Sequence, residues 1–167
     1  MGSSSYIYAK AILAQYLIED AWQQSIKTKA QHPPWSWADT YPVAKLSIKE
    51  QSYFVLAGAT GRTLAFGPGH ISSTPLPGQV GNAVIAGHRD THFSSLAAVN
   101  LGEIIKVETT DKTARYQISD INIVHEQDMS VMQSNNEATM TLITCYPFDA
   151  ITPDPKWRYV ITAHLLT

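Results

Sequence analysis

A chain of 167 residues is long enough for one domain with a real core, and 44% hydrophobic against 16% charged residues is an ordinary balance for a globular protein. A formal net charge of −2 leaves no electrostatic footprint for nucleic acid. The single cysteine excludes an internal disulfide and a CxxC zinc site, and no run of about eighteen apolar residues is present to span a membrane.

Met1-Gly2-Ser3-Ser4-Ser5 reads as an expression scar on a chain cut from something longer, and it is set aside for the fold. Tyr6 to Ala30 lacks Gly and Pro and is rich in Ala, Leu, Gln and Lys, which predicts a long helix with a serine before it as N-cap. Leu13, Tyr16, Leu17 and Trp22 fall near helical spacing and are expected on its packed face, with Glu19, Asp20, Gln23 and Gln24 facing water. Lys10, Lys27 and Lys29 are too few for a basic membrane-binding face. His32-Pro33-Pro34-Trp35-Ser36-Trp37 ends the helix, because consecutive prolines cannot continue it, and the two Trp rings are expected to cover an edge of the core. The organisation is then a scar over 1–5, a helix over 6–31 and a β domain over 32–167.

Tyr41 to Ile48 alternates passably, Lys49-Glu50 makes a tight turn, and Tyr53 to Leu56 returns as the second arm of a hairpin. Ala57 to Gly81 is Gly- and Pro-rich without phosphate-loop spacing and reads as irregular. Asn82 to Gly87 is a short buried strand that opens into His88-Arg89-Asp90-Thr91-His92-Phe93. A helical turn or two follows over Phe93 to Val99. Glu103 to Thr109 and Arg115 to Val124 form two strands around an Asp111-Lys112 turn, and His125 to Glu137 is irregular. The last two strands flank a Pro/Asp-rich loop: one ends at Cys145, and the other begins at Arg158. Seven or eight strands with small helical inserts predict a mostly β fold, a closed or nearly closed barrel.

A lone cysteine in a β protein is ordinarily a small buried hydrophobe. Cys145, however, sits where a strand runs into a Pro-containing turn and not mid-strand. A cysteine nucleophile needs a histidine or another cation close by. His88 ranks first because it also ends a buried strand; His125 is second and His92, in the His88 loop, third. His32, His70 and His164 have weaker claims. Acyl transfer also needs a donor aimed at the developing oxyanion. Arg158 starts the strand after Cys145 and fills that need if the two strands are neighbours, whereas Arg62, Arg89 and Arg115 read as solvated charges. Glu103, Glu108 and Asp111 are too scattered to suggest a calcium site, so no cofactor is expected.

TLITC at 141–145, AGHRD at 86–90 and WRYVI from Trp157, in that spacing along most of the chain from Pro42 onward, resemble the sortase family of cysteine transpeptidases. Cys145-Tyr146-Pro147-Phe148 and HRDTHF look like the class D and E side of that family, and HPPWSWADTYPVAKL over 32–46 looks like its Gram-negative branch. The resemblance implies an eight-stranded barrel, with Cys145 as nucleophile, His88 as acid and base, and Arg158 holding substrate and stabilising the oxyanion. It further implies substrate contacts at Ala86, Ile143 and Thr144. The implied reaction is cleavage of an LPXTG-like sorting signal between Thr and Gly through a thioacyl-enzyme, with transfer to an amine. The implied setting is the outer face of the cytoplasmic membrane, reached through an N-terminal transmembrane anchor that this sequence lacks, with 6–31 as the juxtamembrane helix. Two alternatives stay open: a cysteine peptidase releasing its peptide to water, and a non-enzymatic barrel binding a surface peptide or glycan.

Overall fold

The computed structural model describes residues 2–149 and 153–167. Helix α1 runs Gly2–Thr28. It therefore begins earlier than expected and takes in the serines that were set aside or assigned as a cap; its first four N–H groups need no partner within the helix, so polar residues there cost little. At the other end Lys29 turns left-handed (φ 57) and its N–H bonds the Ser25 carbonyl at 2.9 Å, a standard helix stop.

The packed face of α1 differs from the expected one. Ala14, Ile18, Ala21, Trp22 and Ser25 are buried, with Trp22 at 1%, whereas Leu13 and Tyr16 are 56% and 66% exposed. Apart from Lys10 and Gln15, residues 6–18 are apolar, so periodicity alone does not choose the stripe; the small Ala14 and Ala21 do, by letting the helix approach the hairpin of residues 42–57. Trp35 stands edge-on to Phe66 at 5.1 Å, but Trp37 is 79% exposed and covers no core. No helix among the described residues is long and apolar enough to cross a membrane.

Eight strands close into one barrel: β1 (Pro42–Ile48), β2 (Gln51–Ala57), β3 (Gly69–His70), β4 (Gly81–Ala86), β5 (Ile104–Glu108), β6 (Thr113–His125), β7 (Ala138–Tyr146) and β8 (Trp157–Leu165). Around the barrel the order is β1-β2-β3-β4-β7-β8-β6-β5, with β5 returning to β1. Alternation puts Leu46, Ile48, Ala83, Ile85, Ile105, Val107, Met140, Leu142, Ile161 and Ala163 inside, where they form the core with Phe93 and Leu96.

The segment expected to be irregular contributes two elements, a one-turn helix α2 (Gly61–Leu64) capped by Thr60, and β3. Although only two residues long, β3 pairs parallel with β2 and antiparallel with β4 and so completes the barrel wall. Gly69 is required there, since a Cβ would collide with the carbonyl oxygen of Gly58.

Candidate active site on three adjacent strands

Cys145 lies one residue from the end of β7, next to its cis-peptide turn at Tyr146-Pro147. It is a free thiol of intermediate burial. The inward side chains of β7 are Met140 and Leu142, so alternation turns Thr141, Ile143 and Cys145 to the outer face of the barrel.

Two ladders fix what stands beside the thiol. On one side β8 is antiparallel and pairs Cys145 directly with Arg158. Direct cross-strand partners share a face, with Cβ atoms about 5 Å apart. On the other side β4 is parallel, with Ala86 against Ile143, and the Gly87 N–H extends the ladder to the Ile143 carbonyl at 3.1 Å. His88 follows Gly87 just past the end of β4, at the end of the barrel where Cys145 lies. The nucleophile and guanidinium candidates thus face each other across β7 and β8, and the imidazole candidate stands in the loop that leaves the neighbouring strand β4.

His88 leaves the sheet over Phe93, whose ring a Cβ at Gly87 would meet at 2.6 Å. Glycine is therefore what lets the chain turn there. The His88 carbonyl accepts from Phe93 N–H at 3.0 Å, which opens the 3-10 helix at His92–Ala98 and leaves the exposed imidazole facing solvent. His92 is packed edge-on to the Tyr53 ring at 6.4 Å. Its pKa lies below the ordinary histidine value, first because it is partly buried and then because the charge of His88 is close.

Arg158 is engaged. Its Nη1 donates to the carbonyls of Pro155 at 2.8 Å and Trp157 at 3.0 Å, and its Nη2 reaches Glu126 Oε2 at 3.3 Å. Arg89 is not the solvated charge expected from the sequence: half-buried, it donates from Nη1 to the Pro147 carbonyl at 2.9 Å and so ties the His88 loop to the turn after Cys145. Nothing local in the sequence marks that contact, whose partners are 58 residues apart.

Of the substrate positions implied by the family resemblance, Ala86 and Ile143 are half-buried on the face of Cys145. Thr144 is placed differently: it is 2% exposed, and alternation turns its side chain inward, away from Cys145. Its Oγ1 has no hydrogen-bond partner among the described residues. Near it on the inner side, Tyr146, Phe148 and Tyr159 pack ring against ring at 5.0–6.2 Å and close the barrel mouth. The Pro/Asp-rich loop beyond Tyr146 lies in part outside the described residues.

The other histidines are occupied elsewhere. His125 packs edge-on to Trp157 at 5.4 Å and accepts from Gln127 N–H. His70 is buried, with its Nε2 2.9 Å from the Pro75 carbonyl. His32 meets Thr28 at 2.6 Å, and His164 faces Glu137 at the far end of β8. Arg62 pairs with Asp39, while Arg115 is exposed on β6. Glu103 and Glu108 are each engaged by a lysine, Lys49 and Lys106 respectively.

A model of the sortase domain matches residues 45–166. Over 114 residues the chain is 30% identical to Sortase D of Bacillus subtilis (strain 168); the alignment takes in 68% of this chain and 57% of that protein, so the chain spans little more than half the length of that curated relative. Among solved structures, the catalytic domain of B. anthracis SrtD is 37% identical with a TM-score of 0.64, and 75% of this chain and 88% of that one are covered. A Clostridium perfringens Sortase D5 transpeptidase superposes with a TM-score of 0.75 over 93% of this chain and 99% of that one; at 24% identity it speaks for the fold alone, the eight-stranded barrel expected from the sequence.

Proposed function

The chain belongs to the sortase family, and from that premise we propose that it is a cysteine transpeptidase of the class D and E type, with Cys145, His88 and Arg158 as its working groups. One observation carries the reading: the β7–β8 ladder sets Cys145 directly opposite Arg158, and the neighbouring strand β4 runs out into the His88 loop at the same end of the barrel. A packing cysteine needs neither neighbour.

The chemistry follows from the groups. The Cys145 sulfur attacks the carbonyl carbon between Thr and Gly of an LPXTG-like sorting signal. As the C–N bond breaks, His88 gives its proton to the departing amine, and Cys145 keeps the acyl group as a thioester. Negative charge on the carbonyl oxygen falls to the guanidinium of Arg158, which must trade one of its present partners for substrate. In the second half an acceptor amine attacks the thioester, His88 takes the amine's proton, and the thiolate leaves. Water in place of the amine gives hydrolysis by the same route. Ala86 and Ile143 line the bound peptide beside Cys145.

The partners are accordingly a protein carrying the sorting signal and an amine at the cell surface, and the setting is the outer face of the cytoplasmic membrane. The Gram-negative branch is the origin we favour, on residues 32–46 alone.

Mass spectrometry after mixing with an LPXTG-type peptide library tests the proposal. A thioacyl adduct on Cys145 that is lost in Cys145→Ala and fails to turn over in His88→Ala is the expected result. Normal peptide cleavage by either variant overturns it. Product that forms at one rate with and without added amines identifies a hydrolase instead.

A further inference from the structure

At the end of the barrel opposite Cys145 lies a recess of about 480 Å3, between the last turn of α1, the start of β1, the end of β2 and the segment joining β3 to β4. Gly69 pairs with Ala86 and His70 with Ile85, so β3 runs away from the Cys145 end and carries His70 into the lining of this recess. His70 is 5% exposed. Its neighbours decide which ring nitrogen holds the proton. The Thr74 hydroxyl gives its own hydrogen to the Ile71 carbonyl at 2.7 Å and accepts from the Val84 N–H at 3.2 Å, so it has none left for the imidazole 3.1 Å away. Nε2 is therefore the donor, shared between Thr74 Oγ1 and the Pro75 carbonyl at 2.9 Å. In the neutral ring Nδ1 is then a bare acceptor. It has no hydrogen-bond partner among the described residues, and the recess is the space open to it.

The rest of the polar lining consists of donors. Lys29 stands at the left-handed stop of α1; its Nζ donates to the Thr110 carbonyl and keeps two further N–H groups. Gln79 has its Oε1 taken by the Leu76 N–H at 3.2 Å, which leaves its NH2 to offer, and Tyr41 and Ser72 add hydroxyls. No Asp or Glu lines the recess among the described residues. The wall is also held in advance, because the Gly78 N–H donates to the buried Tyr116 hydroxyl at 2.6 Å. One fixed cation, several donors and no carboxylate call for an anion. One buried acceptor without a partner calls for a ligand that brings a hydrogen of its own.

We propose that this recess is a binding site for a phosphate group, with Lys29 Nζ on its anionic oxygens and His70 Nδ1 accepting from its P–OH. Phosphate near neutral pH meets both demands. Sulfate has the same shape and charge but carries no hydrogen, and a carboxylate likewise carries none. The site is separate from the Cys145 end of the barrel and does not depend on the transpeptidase reading.

Isothermal titration of the whole chain with sodium phosphate near neutral pH tests the proposal, with sodium sulfate as the isosteric control. Phosphate is expected to bind about tenfold or more tightly than sulfate, the weight of one hydrogen bond to a buried acceptor. Lys29→Gln removes the charge at an exposed position and should weaken phosphate by about tenfold or more. His70→Gln keeps a donor for the Pro75 carbonyl and removes Nδ1, so phosphate should fall to the level of sulfate. If that variant does not fold, Lys29→Gln and the sulfate comparison decide the matter by themselves. Phenyl phosphate is added as a competitor: displacement of the free ion extends the site to monoesters, and lack of displacement restricts it to inorganic phosphate, both upholding a phosphate site. No phosphate binding by the parent protein, equal binding of sulfate, or unchanged binding in Lys29→Gln each overturns it.

Discussion

Arg158 stands directly across the β7–β8 ladder from Cys145, yet its Nη2 is bound to the Glu126 carboxylate at 3.3 Å. Glu126 is itself pinned, its N–H donating to the Lys156 carbonyl at 2.8 Å. The carboxylate therefore competes with any substrate oxygen for the guanidinium. The pair is about one-third exposed on each side (28% and 35%), so it contributes little to stability, under about 1 kcal/mol. Glu126→Gln should leave Tm nearly unchanged and raise the rate of thioacyl formation by up to about fivefold, the kinetic equivalent of ~1 kcal/mol. Single-turnover mass spectrometry checks this; a slower variant would show that Glu126 orients Arg158 and does not compete for it.

Arg89 gives the second prediction. Its bond to the Pro147 carbonyl joins the loop after β4 to the turn after β7, the two segments that carry His88 and Cys145. A charge-assisted bond of this kind contributes about 1.5–3 kcal/mol when partly buried. Arg89→Ala should lower thermal stability by a few degrees and kcat by about tenfold, because His88 and Cys145 lose a shared brace. Arg89→Lys should recover only part of each, since a point charge does not reproduce the fork. A variant with parent kcat would show that the two loops hold their spacing without it.

His92 gives a pH dependence. Burial, then the nearby charge of His88, lowers its folded pKa below the unfolded value near 6.5. The unfolded chain thus binds the proton more readily. The stabilisation is complete above pH ~6.5 and is lost as pH falls through the lowered folded pKa. His92→Gln removes the titration, so the drop in Tm between about pH 7.5 and pH 5 should be smaller in the variant than in the parent protein. Equal drops would mean that neither the burial of His92 nor its proximity to His88 is felt by the fold.

The strands were legible because alternation and turn residues mark them locally: Lys49-Glu50 is the turn between β1 and β2, with Lys49 at φ 54, and Asp111-Lys112 lies between β5 and β6. Three candidate groups could be named because each falls at or just past a strand end, and the β7–β8 ladder pairs two of them, Cys145 and Arg158. What was not legible depends on partners far along the chain. Asn82 reads as the polar start of a strand until Val131, Gln133 and Thr141 close around it. Arg89 reads as a surface charge until Pro147 arrives. The packed face of α1 was misread because Leu13 and Tyr16 are the larger apolar groups, while close approach to the hairpin selects the small Ala14 and Ala21. A two-residue strand such as β3 carries no periodicity at all.

Thr144 supplies the sharpest separation between structural and catalytic roles. Its side chain is turned to the inner side of β7 and is 2% exposed, and its Oγ1 is without a hydrogen-bond partner among the described residues. A buried hydroxyl left unpaired costs about 1–3 kcal/mol. Valine has nearly the same shape and no polar atom, so Thr144→Val should raise stability by about 1 kcal/mol, read as a rise in Tm of about 2–4 °C for a chain of this size. Since the hydroxyl points away from the face of Cys145, kcat/KM should remain within about twofold of the parent value. If the hydroxyl instead swings to a bound peptide, as a substrate contact at this position would require, kcat/KM falls by tenfold or more while Tm still rises. Measuring both quantities on one variant distinguishes the two, because a side chain that only fills the barrel mouth moves stability alone.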